Sequence, residues 1–344
     1  MSSVDVIVPC YNYGRYLRQC VDSVLRQAGV DVRVLVINDA SPDNTAEVAA
    51  ALASQDSRVG VIHHSKNRGH INTYNEGIEW ASADYMLLLS ADDYLLPDAL
   101  ERATAIFEAH PEVGLIFGNA IELSDDGREA PLVSTFSAVS SSTACIFSGS
   151  DFIELSGIDN QVVTCTAVVR TGLQKLLGGY RHELPHAGDM EMWLRFAAHA
   201  SVGFIPSYQG VYRRHSANMS TAYYSVSDTR LVYTNSGRLA DLRQRKQAFD
   251  YFWEHCDRIP QWSELFRQRL YMQLAVSAVG HASAAFNDGL VAESKELSDF
   301  AAEIYPRIKN STAWMKFACK RWVGARAWRA FRPAVATLGA AKPN

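Results

Sequence analysis

The sequence predicts an α/β chain: a mostly parallel sheet flanked by helices, followed by a smaller all-helical C-terminal region. Two observations predict it. Over the first hundred residues, short β-branched runs alternate with segments whose apolar residues recur at helical spacing, the pattern of strand–helix–strand units in a parallel sheet. After about residue 220, glycine becomes sparse, proline nearly vanishes and long helical patterns take over.

Each element has its own signal. Residues 4–8 (Val-Asp-Val-Ile-Val) read as a buried strand ended by Pro9. From residue 16 to 27 the apolar positions Leu17, Cys20, Val21, Val24 and Leu25 fall at helical spacing, with Gly29 just beyond. Residues 32–37 form a second β-branched strand, and Ser41-Pro42-Asp43 turns into a helix over 45–52. A third strand is expected at 59–63, a helix at about 72–81 and a fourth strand at 85–89. Pro97 opens the next helix, whose face carries Leu96, Leu100, Ala103 and Phe107. Residues 124–150, rich in Ser, Thr, Asp and Gly, read as loops. Residues 162–169 read as a strand and 190–198 as a helix. In the last third, Leu231, Leu239, Leu242, Phe249, Phe252, Leu265, Leu270 and Leu274 suggest packed helices. This places a domain at 1–220 and another at 221–344, with the boundary good to ~10 residues.

Composition narrows the function. With 344 residues, 48% hydrophobic and 20% charged, the chain is ordinary globular protein. A net charge of −4 argues against a nucleic-acid partner. Six scattered cysteines, with no Cys-x-x-Cys pair and no zinc spacing, fit a reducing compartment. No signal-peptide pattern and no apolar run of about 20 residues is present, so a cytoplasmic location is expected.

In parallel sheets ligands bind beyond the carboxyl ends of the strands. That rule picks out residues 9–13, 38–43 and 90–94. In Ser90-Ala91-Asp92-Asp93 two carboxylates follow an apolar strand, where a carboxylate can hold Mg²⁺ or Mn²⁺ against a diphosphate. The same residues also suit a cap for the next helix. Asp39 ends another buried strand and can accept a hydrogen bond from a nucleobase or ribose; a turn or cap is the plainer use. Asp189 follows Gly188 at a helix start, where a general base and an N-cap are both served. The stretch Tyr212-Arg213-Arg214-His215 offers phosphate-binding and metal-binding groups, though a lone His is more often structural.

Taken together these segments resemble glycosyltransferase family 2. Val6-Ile7-Val8-Pro9-Cys10-Tyr11-Asn12-Tyr13 is similar to the family's opening strand and its Pro-x-Tyr-Asn. Asn38-Asp39-Ala40-Ser41-Pro42-Asp43 resembles Asp-Asp-x-Ser-x-Asp. Asn67-Arg68-Gly69 with Asn75-Glu76-Gly77, Ser90-Ala91-Asp92-Asp93 with Pro97-Asp98, Gly188-Asp189, and Arg214-His215-Ser216-Ala217-Asn218 follow in the family's order. The resemblance covers residues 4–220 and does not extend into the last third.

The resemblance implies a GT-A type, Rossmann-like fold, a nucleotide-sugar donor and a Mn²⁺ or Mg²⁺ cofactor. Asp39 would hold the donor base, which favours a UDP-sugar. Pro9, Tyr11, Asn12, Asn67, Gly69, Ser90, Ala91, Asp93 and Arg214 would line the donor. Asp92 would bind the metal, His215 would lie at the metal or diphosphate, and Asp189 would be the catalytic base of an inverting displacement. The implied acceptor is a hydroxyl of a glycan or lipid-linked molecule in bacterial surface polysaccharide synthesis. Two positions depart from the pattern: Asn38 replaces the first acid of Asp-Asp, and Ser90 replaces the first acid of Asp-x-Asp. These departures keep a non-catalytic nucleotide-sugar-binding assembly subunit as a competing reading. A nucleotidyltransferase is the other, although residues 9–15 make a poor phosphate loop. A homo-oligomer stays open beside these readings.

From Pro306 onward the chain is basic: Arg307, Lys309, Lys316, Lys320, Arg321, Arg326, Arg329, Arg332 and Lys342 occur with no acidic residue. Trp314, Phe317, Trp322, Trp328 and Phe331 are interleaved. This tail suits peripheral contact with the inner membrane surface, a partner subunit, or simply a solvated helix of the second domain.

Overall fold

The alternating first hundred residues fold as β1 (Ser3–Cys10), α1 (Gly14–Leu25), β2 (Asp31–Asn38), α2 (Thr45–Gln55), β3 (Val59–His63), α3 (His70–Trp80) and β4 (Tyr85–Leu88). β1 lies inside the sheet and is covered on both faces, which is why Val4, Val6, Ile7 and Val8 are all fully buried. Val4, Val6 and Val8 pack with Leu17, Cys20, Val21 and Val24 of α1 and Ala49 and Leu52 of α2. Ile7, on the opposite face, lies under α3. A Cβ on Gly77 would stand 2.3 Å from Ile7 Cγ2, so only glycine lets α3 lie this close. Asp5 shares the β1 interior without an energetic fault. Its carboxylate accepts from Arg33 Nε (2.8 Å) and Nη2 (2.7 Å) and from the backbone of Ser82 (2.7 Å) and Ala83 (2.9 Å).

The computed structural model describes residues 1–140, 144–227, 230–233, 237–255, 264–324 and 327–328. The chain continues through β5 (Tyr94–Leu95), α4 (Ala99–Ala109), β6 (Val113–Ser124), β7 (Glu129–Leu132), β8 (Cys145–Phe147), α5 (Gly149–Ser156), β9 (Val168–Arg170), α6 (Thr171–Leu177), α7 (Gly188–His199) and β10 (Ser201–Arg214). The sheet order is β3-β2-β1-β4-β9-β6-β10-β5, with β7 beside β6 and β8 beside β10. β1 to β4 pair in parallel, and β10 is parallel to β6. β9 runs antiparallel to both β4 and β6, so the two reversals cancel and β6 and β10 point the same way as β1 to β4. The sheet is therefore mixed, with its parallel character concentrated at the end built by the first hundred residues.

Three expectations change. Residues 124–150 are not all loop: β7 and β8 are short edge strands, and β7 carries Pro131 where no ladder donor is needed. The strand expected over 162–169 is instead a 3₁₀ turn at Thr164–Thr166 followed by β9. The hydroxyl of Thr166 donates to Val163 O (2.8 Å), a local bond that competes with extended pairing. Leu231, expected on a helix, lies in a strand.

The chain divides into two compact units, one of Met1–Asn218 with Ala248–Ile259, the other of Met219–Gln247 with Pro260–Asn344. The second holds a hairpin of β11 (Tyr224–Ser227) and β12 (Arg230–Tyr233), the first half of α8 (Gly237–His255), and α9 (Glu264–Asp288), α10 (Val291–Ile304) and α11 (Thr312–Val323). Its described elements are helical apart from the hairpin. Leu270, Leu274, Ala278 and Phe286 of α9 and Leu297 and Phe300 of α10 are buried. Among the described residues no helix is long and apolar enough to cross a membrane. Arg326, Arg329, Phe331, Arg332 and Lys342 lie outside the described residues.

Candidate active site

Because β1, β2, β4 and β10 point the same way, the turns that follow them emerge at one edge of the sheet. The first two turns hold each other. Asn12 (φ 63°) and Ala40 (φ 57°) both adopt the left-handed region. Asn tolerates it, whereas for Ala it costs about 1 kcal/mol. Asn12 N–H donates to Ser41 Oγ (3.0 Å), and Ser41 N–H to Asn38 Oδ1 (3.0 Å). Asp43 accepts from the backbone of Gly14 (2.9 Å) and Thr45 (3.1 Å), stitching the starts of α1 and α2. Asn38 also lies 3.2 Å from His63 Nδ1 through its amide nitrogen. The amide can serve both, accepting from Ser41 and donating to His63, whereas a carboxylate there would need His63 to carry its proton on Nδ1. Pro9 stays within β1, while Tyr11 is 48% exposed at the tip of its turn.

Asp39 is almost fully buried and closely held. It accepts from the backbone N–H of Arg68 (2.7 Å) and Gly69 (2.9 Å), and lies 2.7 Å from His64 Nδ1. His64 Nε2 and Arg68 in turn reach Glu76 on α3, at 2.8 and 2.7 Å. Asn67 Oδ1 accepts from Gly69 N–H (3.0 Å), whose φ of 82° suits glycine. Asn75 clamps Tyr180 in both directions, donating to its carbonyl (2.9 Å) and accepting from its N–H (2.7 Å). The segment 67–77 is thus a scaffold for the loops around Asp39.

Asp92 and Asp93 follow β4. Asp93 is buried, and burial together with the neighbouring Asp92 pushes its carboxyl well above the usual range; the backbone bond from Arg213 (2.8 Å) opposes this. Asp92 Oδ2 is met by His215 Nε2 (3.0 Å) and Asn218 Nδ2 (3.2 Å), side chains more than a hundred residues away in sequence. Ala217 N–H donates to His215 Nδ1 (3.2 Å), which places the ring proton on Nε2, facing Asp92. In that tautomer His215 orients Asp92; without the Nε2 proton the same nitrogen would offer its lone pair to a cation held by Asp92. Tyr16 stacks on the ring and Tyr13 meets it edge-on, at centroid distances of 5.5 and 5.2 Å.

Asp92 Oδ1 has no protein partner among the described residues. Nor do those residues contain a group of three or more His, Cys, Asp or Glu arranged to hold a metal. A hard cation such as Mg²⁺ keeps several waters and is commonly held by one or two carboxylates plus substrate phosphates, so a single open carboxylate oxygen fits it. Ala91 is buried between this turn and the core, and Ser90 contributes its carbonyl to Asp93 N–H (3.0 Å). The two arginines at the end of β10 part company, as neighbours on a strand do. Arg213 donates to Asp92 O (2.9 Å) and Gln19 (2.9 Å) and lies over Tyr16. Arg214 pairs with Glu122 on β6 (2.8 Å).

Asp189 opens α7. A single residue, Ala200, separates α7 from β10, so the helix must run back along the sheet and begin at the ligand edge. Its carboxylate is half-buried and accepts from Thr164 Oγ1 (2.9 Å) in the turn before β9. Burial raises its affinity for a proton, against the opposing pull of Thr164, His70 and His186. His70, at the start of α3, holds Pro185 O at 3.2 Å. Burial lowers its pKa, while the Pro185 bond and the charges of Asp189 and Asp39 act the other way. Glu191, two residues on, is fully buried between Arg181 (3.1 Å) and Arg195 (2.9 Å), and Arg195 ties down the carbonyls of Leu177 and Gly179. Sequence reasoning offered Arg213 as a phosphate-binding group and Asn218 only as part of a motif, and it passed over His64, His70 and Thr164. Those three carry no motif or spacing signal in the sequence.

The Glycosyl transferase family 2 model matches residues 5–177. The chain belongs to that family. Among relatives, the uncharacterized glycosyltransferase EpsJ of Bacillus subtilis is 37% identical over 101 residues, which is 29% of each chain, so the chain spans under a third of that relative. Among solved structures, S. aureus TarS 1–349 in complex with UDP-GlcNAc superposes with a TM-score of 0.55 at 17% identity, over 90% of this chain and 92% of that one. The mannosyltransferase PcManGT from Pyrobaculum calidifontis, in complex with GDP-Man and Mn²⁺, gives 0.55 at 16% identity, over 96% and 87%. At this identity the likeness establishes the fold, which is GT-A.

Proposed function

We propose that residues 1–220 are an inverting glycosyltransferase domain that moves a sugar from a nucleoside-diphosphate donor, a UDP-sugar by preference, to a hydroxyl of a glycan or lipid-linked acceptor in surface polysaccharide assembly. The observation that carries this reading is the convergence on one sheet edge of Asp92, clamped by the returning segment 215–218, and Asp189 at the start of α7. The nucleotide sugars bound by TarS and PcManGT support the donor class, and the Mn²⁺ of PcManGT supports a divalent cation.

In this reading the acceptor oxygen attacks the anomeric carbon from the side opposite the diphosphate. The C–O bond to the diphosphate breaks as the new C–O bond forms, and the acceptor proton passes to an Asp189 carboxylate oxygen. General-base help of this kind contributes roughly 10²–10⁴-fold. Thr164 fixes the orientation of that carboxylate. Asp92 Oδ1 would hold the divalent cation, which offsets the charge growing on the leaving diphosphate. His215 and Asn218 keep Asp92 aimed, and Arg213 adds positive charge at the same turn. Asp39, with the 67–69 turn, shapes the wall for the base.

The test is release of nucleoside diphosphate from a panel of UDP- and GDP-sugars with Mn²⁺, with and without added glycan acceptors. Acceptor-stimulated release that Asp189→Asn abolishes is the expected result. Tight nucleotide binding with no turnover on any donor would overturn the reading in favour of a non-catalytic binding subunit.

A further inference from the structure

Helix α11 is turned the wrong way for a helix surrounded by water. Its inward face is fixed by Phe317, which is 1% exposed and meets Phe286 of α9 edge-on at 6.4 Å. A helix advances about 100° per residue, so the outward face opposite Phe317 is carried by Met315, Ala318, Cys319, Trp322 and Val323. All five are exposed; Trp322 is 90% exposed, Met315 51% and Val323 38%. A surface helix ordinarily presents polar residues there. The cations lie on the flanks of this stripe: Lys316 and Lys320 on one side, Arg321 on the other. Lys320 reaches Ser283 and lies over the Trp328 ring, and Arg321 lies over Phe317. The preceding turn exposes Arg307 and Lys309, and no Asp or Glu occurs from residue 306 to 344.

We propose that the outward face of α11 docks on an anionic lipid surface, with Trp322 and Met315 entering the headgroup boundary and Lys316, Arg321, Arg307 and Lys309 meeting the lipid charge. An apolar stripe bordered by cations, with an aromatic at its centre, matches a bilayer interface. Charge decides between occupants. A second copy of the same cationic face would bring like charges together, whereas an anionic surface neutralises them. Twelve residues and five modest side chains give weak binding without the charge term, so both terms are needed. Each cation near an anionic surface is worth roughly a factor of five in partitioning.

Co-sedimentation of the full chain with vesicles tests this. Phosphatidylcholine containing about one-third phosphatidylglycerol should capture the protein, phosphatidylcholine alone should not, and raised salt should release it. The double variant Met315→Ser/Trp322→Ser should bind at least about fivefold more weakly. So should Lys316→Glu/Arg321→Glu. All four residues are exposed, so both variants should melt like the wild type. Two results would overturn the assignment: equal partitioning of wild type and both variants, or no capture by the anionic vesicles. A wild-type dimer that Met315→Ser/Trp322→Ser converts to monomer, with no vesicle binding, would hand the face to a second copy. Vesicle binding needs neither nucleotide nor turnover, so its outcome is separate from that of the proposed reaction.

Discussion

Asp39 and Asp92 stand at equivalent places, just past the ends of two strands that flank β1, yet their surroundings differ. Asp39 is engaged by two backbone N–H groups and His64, and a second carboxylate, Glu76, braces that histidine. Asp92 is engaged on one oxygen by His215 and Asn218 and keeps the other open, beside a second buried acid. The same residue type at the same topological position shapes a wall in one case and presents charge in the other. A strand-end carboxylate is therefore best read by the donors around it and by the lone pairs they leave.

Substitutions can sharpen that contrast, and the largest effect is expected away from both acids. Asp189→Asn should lower kcat/KM by about 10²–10⁴-fold while nucleotide binding measured by calorimetry is unchanged. The wild-type pH profile bears on the same group. A base must be unprotonated to act, and burial raises the Asp189 pKa, so kcat/KM should climb with pH along an acid limb centred above the ordinary Asp value of about 4. A limb at or below that value would remove Asp189 as the base.

Asp92→Asn comes next. It should abolish the metal-dependent part of nucleotide binding while leaving Tm level or higher, because it removes a like charge beside Asp93. Asp39→Asn should do the reverse to stability. The amide nitrogen would face the N–H of Arg68 or Gly69 in place of an acceptor; Gly69 keeps Asn67, and the lost bond costs about 0.5–1.5 kcal/mol by denaturant titration. If Asp92→Asn destabilised more than Asp39→Asn, the contrast between the two sites would fail. The smallest effect separates the adjacent arginines: Arg213→Ala should weaken nucleotide binding several-fold more than Arg214→Ala, since Arg213 reaches the Asp92 turn and Arg214 is held by Glu122.

Much of the first hundred residues was legible because β1 to β4 and their helices are built from local periodicity. Helix ends shifted by a residue or two, as with α1 starting at Gly14, where the cap comes from Asp43 across the turn. The antiparallel β9 was illegible for a different reason. Its three residues have no period to show, and Thr166 curls the apolar run before it into a turn. Motif spacing located Asp39, Asp92 and Asp189 along the chain. Their working surroundings come from partners such as Thr164, His64 and Asn218, which only folding brings near. The outward apolar face of α11 was hidden likewise, since a list of basic and aromatic residues does not say which of them Phe317 turns inward.

In the proposed reaction the sheet edge around Asp92 takes a nucleoside diphosphate together with a divalent cation. Thermal melting of the wild type with UDP, GDP, dTDP or CMP, each with and without Mn²⁺, tests it most directly. A ligand that binds the folded state raises Tm by mass action, about 2.7 kcal/mol of stabilisation at a hundredfold excess over Kd. A rise is expected for one nucleoside diphosphate, UDP by preference, that requires Mn²⁺ and disappears in Asp92→Asn. No rise with any nucleotide, or a rise indifferent to Mn²⁺ and to Asp92, would contradict it.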